Sequence, residues 1–265
     1  MQKKRNRDVE DIRLVRLLEK VDKLYQNGKI DEAREEIQQI IKSFPYNPEP
    51  YLWLGDLLFL SSDNEGALDA YKKAIELDER NGEAHSSLAK IYLMLGKFLE
   101  SERHADIALN YNPEDPEALF IKAIILERQK NYDLSEHYFK KSNFLDPENY
   151  PLPLNISKEY LEALTNFIFQ NISGKIKGVT ANYIIEIDEV PSDEDVKSGL
   201  SPLALSNLIT MREDQSICFK MVIFRRNLLR FAQNEEELRE VINTSLLNEI
   251  SKSLTIIEKG STNVK

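Results

Sequence analysis

Apolar and small residues recur at helical spacing through residues 14–149, and the pattern repeats every 34 positions. One column holds small residues: Ala33, Ala67, Ser101 and Ser135. A second column holds Ile40, Ala74, Ala108 and Ser142. Larger apolar residues form a third: Leu24, Leu58, Tyr92 and Leu126. Within a unit the apolar positions fall three, four and seven apart, the spacing of one helical face. The pattern predicts four helical repeat units, at 14–47, 48–81, 82–115 and 116–149.

Each unit is interrupted near its middle, which predicts two helices joined by a short turn. Gly28 and Gly96 stand at this point in two units, and Ser62 and Lys130 stand there in the others. The small residues are expected where the paired helices cross closely. Proline near the end of three units stops the second helix. Because one hairpin cannot bury its own apolar face, the units are predicted to stack into an α-solenoid.

These columns resemble the tetratricopeptide repeat. The copy that fits best reads Tyr51-Leu52-Trp53-Leu54-Gly55, followed by Ala67, Tyr71 and Ala74. Lys20 and Lys122 replace the usual leucine, and Glu79 replaces a proline. The resemblance implies a protein-binding platform in which the first helix of each repeat lines a groove.

Nine side chains are expected in that groove from the resemblance: Leu18, Tyr25, Leu52, Trp53, Phe59, Lys90, Met94, Phe120 and Arg128. Some members of the family bind acidic chaperone tails through cationic and amide side chains. Asp22, Trp53 and Ser87 stand at those positions, so no such clamp is expected, because anion recognition needs cationic donors. We predict an apolar partner surface anchored by aromatic side chains. The alternative is that these aromatic residues only pack between repeats.

The 34-residue pattern ends at Pro151-Leu152-Pro153, and residues 150–260 are predicted to form a separate α+β domain. Its predicted elements are a helix at 158–171 capped by Ser157, a strand at 182–188, an acidic loop at 190–195, strands at 208–211 and 218–224, and a helix from 234 to about 254. Residues 1–13 and 261–265 are predicted to be tails. The fold class is therefore mostly α, a four-repeat solenoid followed by a small α+β domain.

Residues 221–252 resemble the end of the small zincin-like metallopeptidases. In that family a strand ending in a phenylalanine-arginine pair is followed by an H-E-x-x-H helix. Its histidines bind zinc, and its glutamate activates the metal-bound water. Here Asn248 and Lys252 stand at the histidine positions and only Glu249 is kept, while Glu258 falls at the position of the downstream acidic ligand.

These replacements predict a degenerate motif without zinc. Protonated lysine has no lone pair to offer a metal. Its charge 4 Å from a divalent cation would cost roughly 8 kcal/mol at an effective dielectric constant of about 20. The histidines, at positions 85, 104 and 137, all lie in the repeats and are expected to be packing or surface residues. We predict no metal, no cofactor and no catalytic residue. If the likeness around 248–252 is coincidental, an ordinary amphipathic helix remains, and it also lacks the zinc ligands.

Composition narrows the partner and the compartment. A net charge of −10 argues against a nucleic-acid binder, which needs a concentrated basic face. Cys218 stands alone, so neither a disulfide framework nor a thiolate cage is available. No apolar run approaches the roughly 20 residues that span a bilayer. We expect a cytoplasmic protein that binds a protein or peptide, and the sequence does not determine its oligomeric state.

The main hypothesis is a non-catalytic interaction scaffold with a pseudo-peptidase second domain. One alternative is a metallopeptidase with an unorthodox site around Glu249 and Glu258. The other is an autoinhibited adaptor whose groove is filled by its own C-terminal half.

Overall fold

The computed structural model describes residues 2–175, 183–213 and 216–262, and the side chains of 12–175, 183–211 and 217–257. The chain forms two compact units. The first comprises Met1–Leu93, Lys97–Glu127 and Tyr132–Tyr138, and the second comprises Met94–Gly96, Arg128–Asn131 and Phe139–Lys265. In the part of the chain described, no helix is both long enough and apolar enough to cross a bilayer.

Paired helices occupy the four predicted repeats. They are α1 (Gln2–Gln26), α2 (Ile30–Ser43), α3 (Glu49–Leu60), α4 (Asn64–Leu77), α5 (Gly82–Met94), α6 (Phe98–Tyr111), α7 (Pro116–Arg128) and α8 (Tyr132–Leu145). The prediction of four helical hairpins is thus confirmed. The predicted tail at 1–13 is corrected, because α1 already begins at Gln2. No proline or glycine interrupts residues 2–26, so nothing stops the helix from extending beyond the first repeat unit.

The turn within each hairpin uses one left-handed residue, at the position where the sequence pattern is interrupted. The angle φ is 72° at Gly28 and 69° at Gly96, and it is 62° at Ser62 and 61° at Lys130. Glycine adopts this conformation without steric cost, whereas a side chain strains it. All four hairpins therefore turn in the same way, but two of them carry backbone strain.

The helices of each hairpin cross at the small-residue column. Ala33, Ala67, Ser101 and Ser135 are at most 1% exposed. The two serines bury a hydroxyl there, and each donates it to a carbonyl on the preceding helix: Ser101 to Ala89 at 2.7 Å and Ser135 to Ala123 at 2.9 Å. Because both hydroxyls are satisfied, serine replaces alanine without leaving an unpaired buried polar group.

Gly55 marks a second close approach, in the best-fitting repeat. A Cβ atom added at this position would lie 2.6 Å from Cδ1 of Tyr71, which is closer than van der Waals contact allows. The Tyr71 ring fills this space and is 2% exposed. Glycine at position 55 therefore lets α4 pack its tyrosine directly against the backbone of α3.

Two histidines of the repeats, His85 and His104, pack together in the first unit. Their Nδ1 atoms lie 2.9 Å apart, so one ring donates a hydrogen bond and the other accepts it. His104 also stacks on Tyr92, with ring centroids 5.4 Å apart. Burial lowers the pKa of His85. Burial, together with the nearby charges of His85, Arg103 and Lys72, lowers the pKa of His104 to about 4. The pair is therefore neutral at pH 7.

The second unit contains an α+β arrangement built from residues after α8. Its elements are α9 (Lys158–Ser173), β1 (Tyr183–Asp188), α10 (Asp193–Lys197), β2 (Ser206–Glu213), β3 (Ser216–Phe224), α11 (Arg225–Phe231) and α12 (Glu235–Thr262). The strands form one sheet in the order β1-β3-β2, with β1 parallel and β2 antiparallel to β3. Apolar residues from α9, the sheet, α11 and α12 share one core, which includes Leu161, Met221, Ile223, Leu228, Leu238, Ile242 and Leu246.

Most predicted elements of this unit are confirmed, one is corrected and one helix was missed. The Ser157 hydroxyl caps α9 as predicted by accepting from the Tyr160 amide. The predicted acidic loop at 190–195 is in part a short helix, because Ser192 and Asp195 form a reciprocal capping box. No helix was predicted at α11. The predicted strand at 182–188 starts at Tyr183, and residue 182 lies outside the described part of the chain.

We expect Ser62→Gly to stabilise the protein by about 0.5–1 kcal/mol, because it relieves the left-handed strain in the second hairpin. The matched Gly28→Ala should destabilise it by a similar amount, since a Cβ atom there meets open space and only the backbone angle opposes it. Urea denaturation of both variants measures these changes. Changes of the same sign would contradict the assignment of strain.

Stability should decrease as the pH falls from 6.5 towards 4. The unfolded histidines take up protons near pH 6.5, whereas folded His104 takes one up only near pH 4, so protonation favours the unfolded state in this window. Urea denaturation between pH 7.0 and 5.5 should show the loss. The slope of the unfolding free energy against pH should become smaller in His104→Asn. The control is His137→Asn, which changes an exposed histidine and should keep the slope of the unchanged protein. Equal slopes in all three proteins would exclude the His85–His104 pair as the cause.

Candidate functional site

The predicted groove residues separate into buried and accessible groups. Leu18 and Leu52 are 5% and 6% exposed and belong to the hydrophobic cores of the first unit, so their prediction as groove-surface residues is corrected. Each side chain packs among the buried apolar residues of its cluster and does not reach the surface. Tyr25 is 40% exposed, and Trp53 and Phe59 are partly buried with an accessible portion.

Tyr25 on α1 and Trp53 on α3 meet edge to face, with ring centroids 6.3 Å apart. Phe59, two turns along α3 from Trp53, lies under Lys90 of α5, whose Nζ atom is 5.5 Å from the ring centroid. Lys90 also forms an ion pair with Glu117 of α7. These contacts link the first helices of all four repeats into one continuous surface.

Carboxylates border this surface. Asp56 lies between Trp53 and Phe59 on α3, and it accepts a 2.5 Å hydrogen bond from the Tyr71 hydroxyl. Burial raises the pKa of Asp56, although the Tyr71 bond and Lys90 oppose the shift. Burial also raises the pKa of Glu83, with further contributions from Asp56, Asp115, Glu49 and Glu117. The surface therefore combines partly accessible aromatic rings with several carboxylates.

The remaining predicted groove residues are Phe120, Met94 and Arg128. Phe120 is partly buried on α7. Met94 is 38% exposed and, like Arg128, belongs to the second unit. There the Arg128 guanidinium donates to the Pro191 carbonyl at 3.0 Å and pairs with Asp193 at 2.7 Å.

The degenerate motif lies on α12 in the second unit, and its one retained residue is deeply buried. Glu249 is 2% exposed, whereas Asn248 at the first histidine position is exposed. The Lys252 ammonium donates to both oxygens of Glu249, at 3.0 and 2.9 Å. The Ser206 hydroxyl at the start of β2 donates to the same carboxylate at 2.7 Å. The negative charge of Glu249 is thus balanced by the Lys252 ammonium, and its oxygens accept hydrogen bonds from Lys252 and Ser206.

A cleft of about 490 Å³ opens beside these groups and is lined by Leu205, Ser206, Ser245, Asn248, Glu249, Ser251 and Lys252. The side chain of Glu258, the predicted downstream ligand position, lies outside the described side chains. Among the side chains that are described, no three His, Cys, Asp or Glu residues come close enough together to hold a metal ion.

Two arginines that follow β3 pair with one carboxylate that follows β1. Arg225 and Arg226, directly after β3, both donate to Glu189 after β1, at 3.1 and 2.7 Å. Arg225 also donates to the Ile156 carbonyl at 2.6 Å. Burial alone would raise the pKa of Glu189, but the two arginines outweigh it and lower the pKa. The phenylalanine-arginine pair noted in the sequence therefore ties the end of β3 to its surroundings.

Sequence reasoning missed Ser206, Glu83 and Glu117 as site residues. Ser206 is 43 residues before Glu249 in the chain, and only the antiparallel pairing of β2 with β3 brings it to α12. Glu83 and Glu117 could have been found from the sequence. Each is the second residue of the first helix of its repeat, so the two occupy the same position in the repeat pattern.

Family models match three parts of the chain. A TPR repeat model matches residues 55–96, and a tetratricopeptide repeat model matches residues 86–149. A zincin-like metallopeptidase model matches residues 180–259. The resemblances found in the sequence are both confirmed.

Curated relatives and solved structures are similar to parts of this chain. The bovine (Bos taurus) BBSome complex member BBS4 is 27% identical over 43% of this chain and 23% of its own length. The Caenorhabditis elegans tetratricopeptide repeat-containing protein trd-1 is 28% identical over 53% of this chain and 18% of its own length. The chain therefore spans less than a quarter of either relative.

Among solved structures, the Thermus thermophilus TPR protein TTC0263 is 18% identical, covers 51% of this chain and 75% of its own, and has a TM-score of 0.46. The first TPR of Spaghetti (RPAP3), bound to an HSP90 peptide, is 23% identical, covers 44% of this chain and 93% of its own, and has a TM-score of 0.42. From the family models, the chain contains tetratricopeptide repeats over residues 55–149, followed by a zincin-like metallopeptidase domain over residues 180–259.

Proposed function

We propose that the chain is a non-catalytic interaction protein of the cytoplasm, in which the repeats bind a protein partner and the zincin-like domain works without zinc. The repeat surface supports the first part, because contacts between accessible rings, Lys90 and carboxylates link the first helices of all four repeats. The second part depends on the contacts of a single carboxylate, that of Glu249.

The zincin-like family implies a zinc ion, and the residues of this chain do not fit one. At the two ligand positions stand an exposed amide, Asn248, and an ammonium group, Lys252. The ammonium lies 2.9 Å from Glu249 Oε2, where it supplies the positive charge that balances the buried carboxylate. A cation covalently attached at this point repels a divalent metal and leaves no nitrogen lone pair to bind it. This pairing is the observation on which the proposal depends.

The zincin-like domain would then serve as a second binding surface. Strand β2 pairs with β3 along one side and lies at an end of the sheet, and its first residue, Ser206, lines the cleft beside Glu249. An extended segment of a partner can add to such an edge through main-chain hydrogen bonds. Serine and asparagine side chains in the cleft provide donors and acceptors for it.

A metallopeptidase with an unorthodox site remains the second candidate, and one observation favours it. Glu249, the catalytic position of the family, is retained and lines the cleft. Such an enzyme would need ligands other than Asn248 and Lys252, with Glu258 among them. Metal content distinguishes the two functions.

We expect the full chain, purified without chelators, to contain less than about 0.1 zinc per molecule by elemental analysis. The Asn248→His/Lys252→His variant places two imidazoles one helical turn apart beside Glu249, the ligand spacing that the family uses. Its zinc content after incubation with the metal should rise measurably above that of the unchanged chain.

The matched control is Glu236→His/Glu240→His, which creates the same spacing on an exposed stretch of α12. Zinc bound more tightly by the first variant than by this control would show that the family's geometry has been kept. Stoichiometric zinc in the unchanged chain that is lost in Glu249→Ala would overturn the proposal and favour the peptidase.

A further inference from the structure

The described contacts place several carboxylates and one lysine, Lys90, on the aromatic surface of the repeats. We use the term acidic aromatic face for six residues of the first unit: Tyr25, Trp53, Asp56, Phe59, Glu83 and Glu117. Trp53, Asp56 and Phe59 follow one another at intervals of three on α3, so they share one side of that helix. The Tyr25–Trp53 and Phe59–Lys90–Glu117 contacts extend this side to α1, α5 and α7.

Lys90 is the cation that the described contacts place among these carboxylates, and it is already paired with Glu117. Asp56 accepts its hydrogen bond from a neutral hydroxyl, so its charge is only partly compensated. Glu83 is influenced by four further carboxylates, those of Asp56, Asp115, Glu49 and Glu117. Burial is the main cause of the raised pKa values of Asp56 and Glu83, and neighbouring carboxylates add to both shifts.

The other lysine of α3, α5 and α7 is paired elsewhere. Lys122 of α7 is 13% exposed and pairs with Glu102 and Asp106 on α6, at 2.8 and 2.9 Å. It therefore neutralises the second helix of the preceding repeat rather than the acidic aromatic face. An external cation that reaches Asp56 and Glu83 would relieve the repulsion among the carboxylates.

We propose that the acidic aromatic face binds a basic, extended segment of the partner protein, in which arginine or lysine residues alternate with apolar ones. This inference rests on the proposed function, since it takes the repeats to be the protein-binding part. The cations would pair with Asp56 and Glu83, and an arginine would stack on the Trp53 ring, the aromatic side chain that attracts cations most strongly. Apolar side chains would contact Tyr25 and Phe59. Desolvated pairing of this kind gives specificity as well as a faster encounter.

The chain contains a single tryptophan, Trp53, so its fluorescence reports occupation of this face directly. The probes are three peptides of about 12 residues that differ only in charge: one with arginine and lysine alternating with leucine, one with glutamine at the basic positions, and one with glutamate there. Each is titrated into the full chain at low and high salt.

We expect saturable fluorescence changes with the basic peptide and affinities at least about tenfold weaker for the other two. Raising the salt concentration from about 0.05 to about 0.5 M should lower the affinity for the basic peptide by about tenfold, because screening shortens the range of the attraction. Glu83→Gln should weaken it by about three- to fivefold, the effect of one partly exposed ion pair.

Asp69→Asn is the matched control, because it removes the same charge from an exposed position on α4. It should leave the affinity within about 1.5-fold, and thermal unfolding should confirm that both variants stay folded. Equal weakening by Glu83→Gln and Asp69→Asn would show a general charge effect and overturn the inference, as would binding without a change in Trp53 fluorescence.

Tighter binding of the glutamine or glutamate peptide would overturn the basic partner while leaving the repeats as a protein-binding surface. Binding of none of the peptides would overturn the inference as well. The zinc measurement is independent of all these results, so failure of the non-catalytic proposal is recognised separately.

Discussion

The close crossing of paired helices at one small residue is the constraint on which the repeat unit depends. Ala33, Ala67, Ser101 and Ser135 are almost completely buried at these crossings. A larger side chain would separate the helices and move the first helix of each repeat away from its neighbours. The aromatic contacts between α1 and α3, and the Phe59–Lys90–Glu117 chain across three helices, require these first helices to stay side by side. Backbone packing in the interior therefore sets the chemistry of the surface.

Charge is handled differently in the two parts of the molecule. In the zincin-like domain the buried carboxylate of Glu249 has its own cation, Lys252, and a hydroxyl donor from another element. On the repeats several carboxylates share a surface with one paired lysine. The first arrangement has its counter-charge within the domain. Under the proposal, the second obtains part of its counter-charge from a bound partner.

The sequence predicted what depends on local pattern. The helical hairpins, their turns at Ser62 and Lys130, and the cap at Ser157 depend on periodicity and on residues within a few positions, and the structure confirms them. The short helix α10 was missed, although Ser192 and Asp195 have the sequence pattern of a capping box. The length of α1 was underestimated, because the repeat pattern begins later than the helix. Contacts between distant positions were not predictable. Ser206 reaches Glu249 only through the register of β2 on β3, and burial of Leu18 and Leu52 depends on which neighbours cover them.

The Glu249–Lys252 pair also changes what the domain's stability depends on. A metal that binds the folded state stabilises it by an amount that varies with the free ion concentration, and the protein weakens when the ion becomes scarce. Lys252 is part of the chain and cannot dissociate, so its contribution does not follow mass action. If the domain works without zinc, as proposed, its stability does not depend on the free zinc concentration.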